Sequence, residues 1–260
     1  MNGGMRGAFG AIVCAAGSSS RMGGIKKEFQ ILPETADSPR ALTVLGAAVS
    51  AFASIPAIGI ILITIPAGME EAAESSLPPD RGKLPPICFV SGGKSRRESV
   101  HSALQALSSY MPDYALIHDG ARPWLDSALI ERLCAAMLLH GAVIPILPLV
   151  ETPKEIDSTG LIIRHLQRNR LGTAQTPQGF PFPAILEAHN KAALREQEGQ
   201  EYTDDAEVWG EFVGPVMTIP GSLENRKITY PADLQGDANH PRPYHSGTPD
   251  GNSMQGGGAP

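Results

Sequence analysis

The sequence predicts an open α/β fold, a mostly parallel sheet whose strands are joined by right-handed crossovers. Three observations lead there. Strand-length apolar runs alternate with helix-spaced apolar residues from position 8 to 150. The first run passes straight into a loop of small residues, Gly17-Ser18-Ser19-Ser20-Arg21, as a buried strand feeding a strand-end loop does. The chain has 260 residues, 42% of them hydrophobic and 18% charged, which is an ordinary globular composition and enough chain for one sizeable core.

Taken in order, residues 8–16 (AFGAIVCAA) read as the first buried strand. Leu42, Leu45, Val49 and Phe52 recur at helical spacing, and Ile58–Ile65 is a second buried strand that stops at Pro66. Residues 78–86 contain four prolines and read as loop; Ile87–Val90 is a third strand, followed by Gly92-Gly93. Val100, Leu104 and Leu107 mark a helix, and Tyr114–His118 is a fourth strand ending in Asp119-Gly120. Asp126 reads as the N-cap of a helix running to about His140. Ala142–Val150 is a fifth strand whose two prolines suggest bends or an edge. Residues 151–175 break the rhythm and, with alternation at Leu161–Leu166, suggest an excursion or β-arm, about 151–170. A helix near Pro183–Gln197 and a strand at Val213–Ile219 follow. The expected organisation is one domain over residues 1–235, and a disordered tail at 236–260, where ten of 25 residues are Gly or Pro.

Ligands of open parallel sheets bind at the carboxyl ends of the strands, so the loops Gly17–Arg21, Gly92–Ser99 and Asp119–Pro123 should face one pocket. The net charge is −6 and aromatics are 5%, which argues against a nucleic-acid partner and against base-stacking platforms. Cys14, Cys88 and Cys134 are scattered, with no CxxC pair; this disfavours a disulfide scaffold or a cysteine zinc site and points to a reducing, cytoplasmic compartment. No apolar run approaches 18 residues, so no membrane span is expected. The stretch after Arg6 is short for a signal peptide and reads better as the first strand.

Four constellations carry chemistry. In Ala15-Ala16-Gly17-Ser18-Ser19-Ser20-Arg21-Met22 with Lys26-Lys27, small residues let backbone N–H groups approach an anion and the cations complement a polyphosphate; a surface turn with solvated cations reads the same locally. In Gly92-Gly93-Lys94-Ser95-Arg96-Arg97-Glu98-Ser99-Val100, glycines and serines lead into a helix and can present N–H groups to a nucleotide, or form a plain capped loop. It is not a P-loop, since position 88 is Cys where that motif needs Gly, and no GxGxxG follows the first strand. In His118-Asp119-Gly120-Ala121-Arg122-Pro123, a strand-end carboxylate suits a magnesium shell or a sugar hydroxyl, and Arg122 suits a phosphate; His118 reads as a structural partner rather than a base. The last set is Thr152, Lys154, Arg168, Thr203-Asp204 and Asn225-Arg226-Lys227, whose basic members, taken singly, read as solvated surface charges.

In order, the blocks A-A-G-x-x-x-R-M, K-E-F, G-G-x-x-R-x-x-S-V, H-D-x-A-R-P, E-T, R-N, T-P-Q-x-F, T-D-D-A and N-x-K-I-T-x-P-x-D-L closely resemble the 2-C-methyl-D-erythritol 4-phosphate cytidylyltransferases over about residues 9–234. The resemblance implies a Rossmann-like nucleotidyltransferase fold and a homodimer whose β-arm, here 151–170, reaches the partner subunit. It implies transfer of CMP from CTP to methylerythritol phosphate, with release of pyrophosphate and a magnesium or other divalent cation as cofactor. Ribitol 5-phosphate as acceptor, or a non-catalytic nucleotide-binding regulator, are the alternatives. By the same resemblance Arg21 and Lys27 stabilise the CTP phosphates, and Arg168 and Lys227 hold the attacking phosphate. Asp119, Arg122, Thr152 and Thr203 contact the sugar phosphate, and Ala15, Ala16, Gly17, Gly93 and Ser99 cradle the nucleotide, with Asp119 at its edge. Asp119 is also the one protein contact expected for a metal held mostly by the CTP phosphates. Lys94 stands where the family often has an acidic residue, Gly120 where Ala is commoner, and Arg226 where an aliphatic is usual.

The chemistry agrees independently. A phosphate monoester has a second pKa of about 6, so the nucleophile needs no general base, and none is evident. The task is to bring two polyanions together, which cations in a net-acidic protein do.

Overall fold

The structure, a computed structural model, describes residues 8–19, 22–33, 42–78, 82 and 84–235. Arg21 and the segment 236–260 lie outside the described residues.

The strands and helices follow the predicted alternation: β1 (Phe9–Cys14), α1 (Val44–Ala53), β2 (Ile58–Ile65), α2 (Glu70–Ser75), β3 (Ile87–Ser91), α3 (Arg96–Leu107), β4 (Tyr114–Asp119), α4 (Ser127–His140) and β5 (Val143–Pro148). Then come β6 (Lys154–Ile156), β7 (Ile162–His165), β8 (Gly172–Ala174), β9 (Gln178–Pro181), α5 (Phe182–Gln197), α6 (Asp205–Phe212) and β10 (Met217–Pro220). The main sheet has the order β10-β5-β9-β4-β1-β2-β3, with β8 added against β5. β1 pairs in parallel with β2 and β4, β2 with β3, and β10 with β5, whereas β9 runs antiparallel between β4 and β5.

β1 reads as a continuous apolar run, yet its pleat separates two cores. Phe9, Ala11 and Val13 pack with Leu45, Val49 and Phe52 of α1 and Leu129, Leu133 and Met137 of α4. Ile12 packs on the other face with Val100, Leu104 and Leu107 of α3 and Ile185 of α5. α3 lies so close that a Cβ on Gly10 would stand 2.7 Å from Leu107 Cδ1. The chain leaves β1 for β2 and β3 on one side and returns to β4 on the other. This reversal opens a crevice between the carboxyl ends of β1 and β4, where Cys14 and Asp119 are paired.

Caps fix the helix starts as the sequence indicates. Asp126 accepts the Ala128 N–H of α4 at 3.0 Å, and Ser95 accepts the Glu98 N–H of α3 at 3.0 Å.

Four local readings change. The prolines of the fifth strand suggested an edge, but β5 lies between β10 and β9. Pro145 falls where the antiparallel neighbour changes from β9 to β8, and its carbonyl there accepts the Gln175 N–H at 2.8 Å; proline lacks only the donor. Helix α2 has a single buried residue, Ala73, too little for an apolar period to show. Helix α6 is masked by its acidic start, although Asp204 caps it through the Glu207 N–H at 2.9 Å. The last strand is confined to Met217–Pro220. Residues 154–165 form the expected excursion, a two-stranded sheet of β6 and β7 separate from the main one.

Candidate active site

A cavity of about 590 Å³ lies over the carboxyl ends of β1, β2 and β4. Three strand-end loops meet there, as the sequence predicts. From the first come Ala16, Gly17 and, after the turn, Lys26 and Lys27; from the second Gly93 to Arg96 and Ser99; from the third Asp119. Lys227 comes from the chain after β10.

Each loop is braced from within. Gly92 brings the first two loops into contact: a Cβ there would lie 2.2 Å from the Cβ of Ala16. The Gly92 N–H donates to Ile65 O at 2.8 Å. Ser99 Oγ accepts the Gly93 N–H at 3.0 Å and donates to Ser95 O at 2.9 Å. Glu98 accepts the Lys94 N–H at 2.6 Å. In the first loop Ser19 Oγ donates to the buried Glu28 at 3.3 Å, and Lys26 Nζ donates to Gly17 O. Lys27 opens the short 3₁₀ turn Lys27–Phe29 and is 9% exposed.

Asp119 is the electrostatic centre. Its Oδ1 lies 3.3 Å from Arg96 Nε; its Oδ2 lies 3.0 Å from Lys227 Nζ and 3.5 Å from Arg122 Nε. Burial pushes this carboxyl up, but the summed attraction of Arg96, Lys227 and Arg122 outweighs it and holds the pKa well below the usual carboxylate range. The Asp119 N–H is fixed by Thr176 Oγ1 at 3.0 Å. His118 is fully buried, with Nδ1 2.9 Å from Thr176 Oγ1 and Nε2 3.2 Å from Arg122 O. The carbonyl needs a donor, so Nε2 carries the proton and Nδ1 accepts from Thr176. Burial lowers the His118 pKa to about 4. A neutral, fully engaged imidazole is the structural partner expected from the sequence, not a base. Burial likewise pushes the Cys14 thiol up to about 12, so it is no nucleophile at neutral pH.

Of the expected site residues, Ala16, Gly17, Lys27, Gly93, Ser99, Asp119 and Lys227 line the cavity. Arg21 lies outside the described residues; Ala15, Arg122, Thr152, Arg168 and Thr203 do not line it within one chain, each for a visible reason. Ala15 is buried and its N–H donates to Thr64 O at 2.9 Å. Arg122 turns away to donate to Asn225 O at 2.8 Å. Thr203 Oγ1 and N–H are both taken by Glu207 at 2.8 Å. Arg168 and Thr152 are exposed beside the β6–β7 sheet, where Arg168 donates to Val150 O at 2.8 Å. The N–H groups of Ala15, Gly93 and Ser99 are partnered inside the protein. These three residues therefore shape the cradle rather than offer it donors.

Asp119 does not fit a metal ligand. Both its oxygens already face cations, which would repel a dication. Among the described residues no three His, Cys, Asp or Glu side chains converge on a metal position.

The sequence reading gave no role to Arg96, Asp205 or Thr64. Arg96 stood in the G-G-x-x-R block and Asp205 in T-D-D-A, so their types were visible but not their meeting. Thr64 is fully buried at the carboxyl end of β2, lines the cavity, and its hydroxyl has no partner among the described residues. Two departures find local causes. The Arg226 guanidinium lies 4.0 Å over the Trp124 ring, a cation–π contact. A Cβ on Gly120 would stand 2.9 Å from Cys14 O.

Comparison with known proteins gives a consistent set of likenesses. The family described as "IspD: 2-C-methyl-D-erythritol 4-phosphate cytidylyltransferase" matches residues 9–238. A bifunctional enzyme IspD/IspF of Bartonella henselae is 35% identical over 224 residues, covering 86% of this chain and 54% of that one. One from Rhodospirillum rubrum is 36% identical over 226 residues, covering 86% and 55%. The chain thus spans about half the length of the curated relatives it matches. Among solved structures, the 4-diphosphocytidyl-2C-methyl-D-erythritol synthase of Anaerococcus prevotii superposes with TM-score 0.72 at 26% identity, over 88% of this chain and 95% of that one. The 2-C-methyl-D-erythritol 4-phosphate cytidylyltransferase of Thermus thermophilus gives 0.63 at 28% identity, over 86% and 94%.

Proposed function

This chain belongs to the 2-C-methyl-D-erythritol 4-phosphate cytidylyltransferase family, and from that premise we propose that it transfers CMP from CTP to 2-C-methyl-D-erythritol 4-phosphate. A monoester oxygen of the sugar phosphate attacks the α-phosphorus of CTP, and the bond from that phosphorus to the oxygen bridging the β-phosphate breaks. The electron pair leaves with pyrophosphate. The products are pyrophosphate and 4-diphosphocytidyl-2-C-methyl-D-erythritol.

The observation that carries this reading is the cation set around one buried carboxylate. Arg96 and Lys227 flank Asp119 inside the cavity, which Lys26 and Lys27 also line. Two polyanions repel each other in water, and fixed cations in a partly dry cleft offset that repulsion without reorganising. Lys27 is assigned to the triphosphate and Lys227 to the attacking monoester. Arg21, outside the described residues, keeps the triphosphate role its position in the A-A-G-x-x-x-R-M block implies. A divalent cation that accompanies CTP is carried by the phosphates, and no residue of this chain is assigned to hold it.

The reading extends to a homodimer in which β6, β7 and the turn after them carry Thr152 and Arg168 into the partner's cavity. Ile156, Leu161, Ile162 and Ile163 support it, for they are between 54% and 67% exposed on this small sheet, a larger apolar display than a solvated hairpin needs. Free thiols at Cys14, Cys88 and Cys134 support work in a reducing cytoplasm, and among the described residues no helix is long and apolar enough to cross a membrane.

The test is pyrophosphate release from CTP with methylerythritol 4-phosphate, and separately with ribitol 5-phosphate. Release with the first alone is expected. Release with ribitol 5-phosphate alone would reassign the acceptor, and CTP binding without any release would leave a nucleotide-binding regulator.

A further inference from the structure

The pocket wall contains a charge network that the assignments above leave unused. Arg96 is the first residue of α3, and two carboxylates from different elements hold one edge of its guanidinium. Nε reaches Asp119 Oδ1 at 3.3 Å, and Nη2 reaches Asp205 Oδ2 at 2.8 Å. Asp205 is 1% exposed at the start of α6; its other oxygen lies 3.3 Å from Nε2 of His189, which is fully buried on α5. Gln178 Oε1 accepts the Asp205 N–H at 3.1 Å and ties this point to β9.

A guanidinium is a planar fork with two usable edges. Here the Nε–Nη2 edge is occupied. Nη1 takes no partner among the described residues and is not one of the buried orphaned atoms. The side chain lines the cavity and is 28% exposed, and the Nη1–Nη2 end is the edge the protein leaves for a ligand. That is the edge with which an arginine takes a phosphate bidentately. One carboxylate would fix the position of the group; two fix its plane as well. Asp119 is shared with Lys227 and Arg122 through its Oδ2, whereas Asp205 Oδ2 meets Arg96 at the shorter distance.

We propose that Arg96 is a further phosphate-binding residue of this site and that Asp205 positions it. The inference rests on the reading of the cavity as a nucleotide and sugar-phosphate site. The phosphoryl group is the nucleotide's, because Arg96 follows the Gly93 loop and stands on Oδ1 of Asp119, whereas Lys227 stands on Oδ2.

Calorimetric titration of the full chain with inorganic pyrophosphate and with CTP, beside thermal unfolding, tests it. Arg96→Lys keeps a charge near both carboxylates and removes the fork. It should weaken both probes about tenfold, the value of one charge-assisted hydrogen bond, with little change in Tm. Asp205→Asn should weaken them by a similar factor. The double variant should be no weaker than Arg96→Lys, since both changes act through one guanidinium. Unchanged affinity in Arg96→Lys overturns the proposal. A lower Tm with unchanged affinity in Asp205→Asn overturns the positioning role. Should Asp205→Asn not fold, Asp205→Glu keeps the charge one methylene away and must show the same weakening. A wild type that binds pyrophosphate but not CTP would sink the nucleotide reading, while the pyrophosphate comparison still decides the role of Arg96.

Discussion

Lys227 Nζ stands 3.0 Å from Asp119 Oδ2, a contact between residues more than a hundred positions apart that joins the end of β4 to the chain after β10. It shows how a net-acidic protein builds a cationic cleft. Asp119 is not a counter-ion that cancels the site: Arg96, Arg122 and Lys227 all face it. Each cation is held in place by a carboxylate too small to neutralise them together.

Stability should depend on Asp119 in acid. Its folded-state pKa is depressed, so its contribution is complete above the unfolded value of about 4 and is lost as pH falls through that value toward the folded one. Asp119→Asn should cost about 3–5 kcal/mol at pH 7, the usual result of breaking a buried pair. Urea unfolding at pH 7 and pH 3 should show the gap between wild type and variant narrowing by roughly 1 kcal/mol in acid. An equal gap at both pH values would contradict the geometry.

His118 should contribute a slope at higher pH. Its folded pKa is lowered to about 4, below the unfolded value of about 6.5, so the unfolded chain binds the extra proton between those values. Stability is therefore full above the upper value and is lost as pH falls toward the lower. From pH 7 to pH 5 this amounts to about 2 kcal/mol. His118→Gln should lack this slope and keep turnover within about tenfold, since no proton-transfer role is assigned to the imidazole. A turnover collapse in a folded His118→Gln protein would show that it serves as a base.

Lys27 and Arg168 should divide the labour. Lys27→Ala should lower kcat about 10²–10³-fold, the usual effect of removing an electrostatic stabiliser. Arg168→Ala should raise KM for the sugar phosphate and lower kcat through misplacement. If each site takes Lys27 from one chain and Arg168 from the other, mixing the two variants should regain up to about a quarter of wild-type activity after statistical exchange in a twofold dimer. Mixed dimers seen by mass, with no activity, would rule out a shared site.

Gly92→Ala should be harmful at a position where no charge changes. Its Cβ would stand 2.2 Å from that of Ala16, so the two loops must part. Overpacking of this kind costs about 1–3 kcal/mol. Tm should fall and CTP should bind more weakly. Wild-type values for both would mean that the loops move apart freely.

The sequence by itself determined the architecture and most of the loops. Apolar runs and helical spacing are local patterns, and they placed β1 to β4, α3, α4 and α5 because each helix buries one face and the central strands β1 and β2 bury both. Order along the chain also put the loops after β1, β3 and β4 at one end of a parallel sheet, so six expected residues from them line the cavity, joined by Lys227 from the chain after β10. Only the tertiary structure decided which charged groups meet. Arg96, Asp119, Asp205 and Lys227 come from four separate segments, and no one segment shows that they meet. Their pairing depends on the order of strands, β4 and β1 adjacent with β9 antiparallel beside β4, which brings the first residue of α6 to the first residue of α3. It depends also on burial, which forces a charge either to find a partner or to lose its ionisation. Local packing likewise turned the largely buried Arg122 toward Asn225 O, and the exposed Thr203 is taken by Glu207 four residues on. A residue's type shows what it can bind, and the packing around it decides what it does bind.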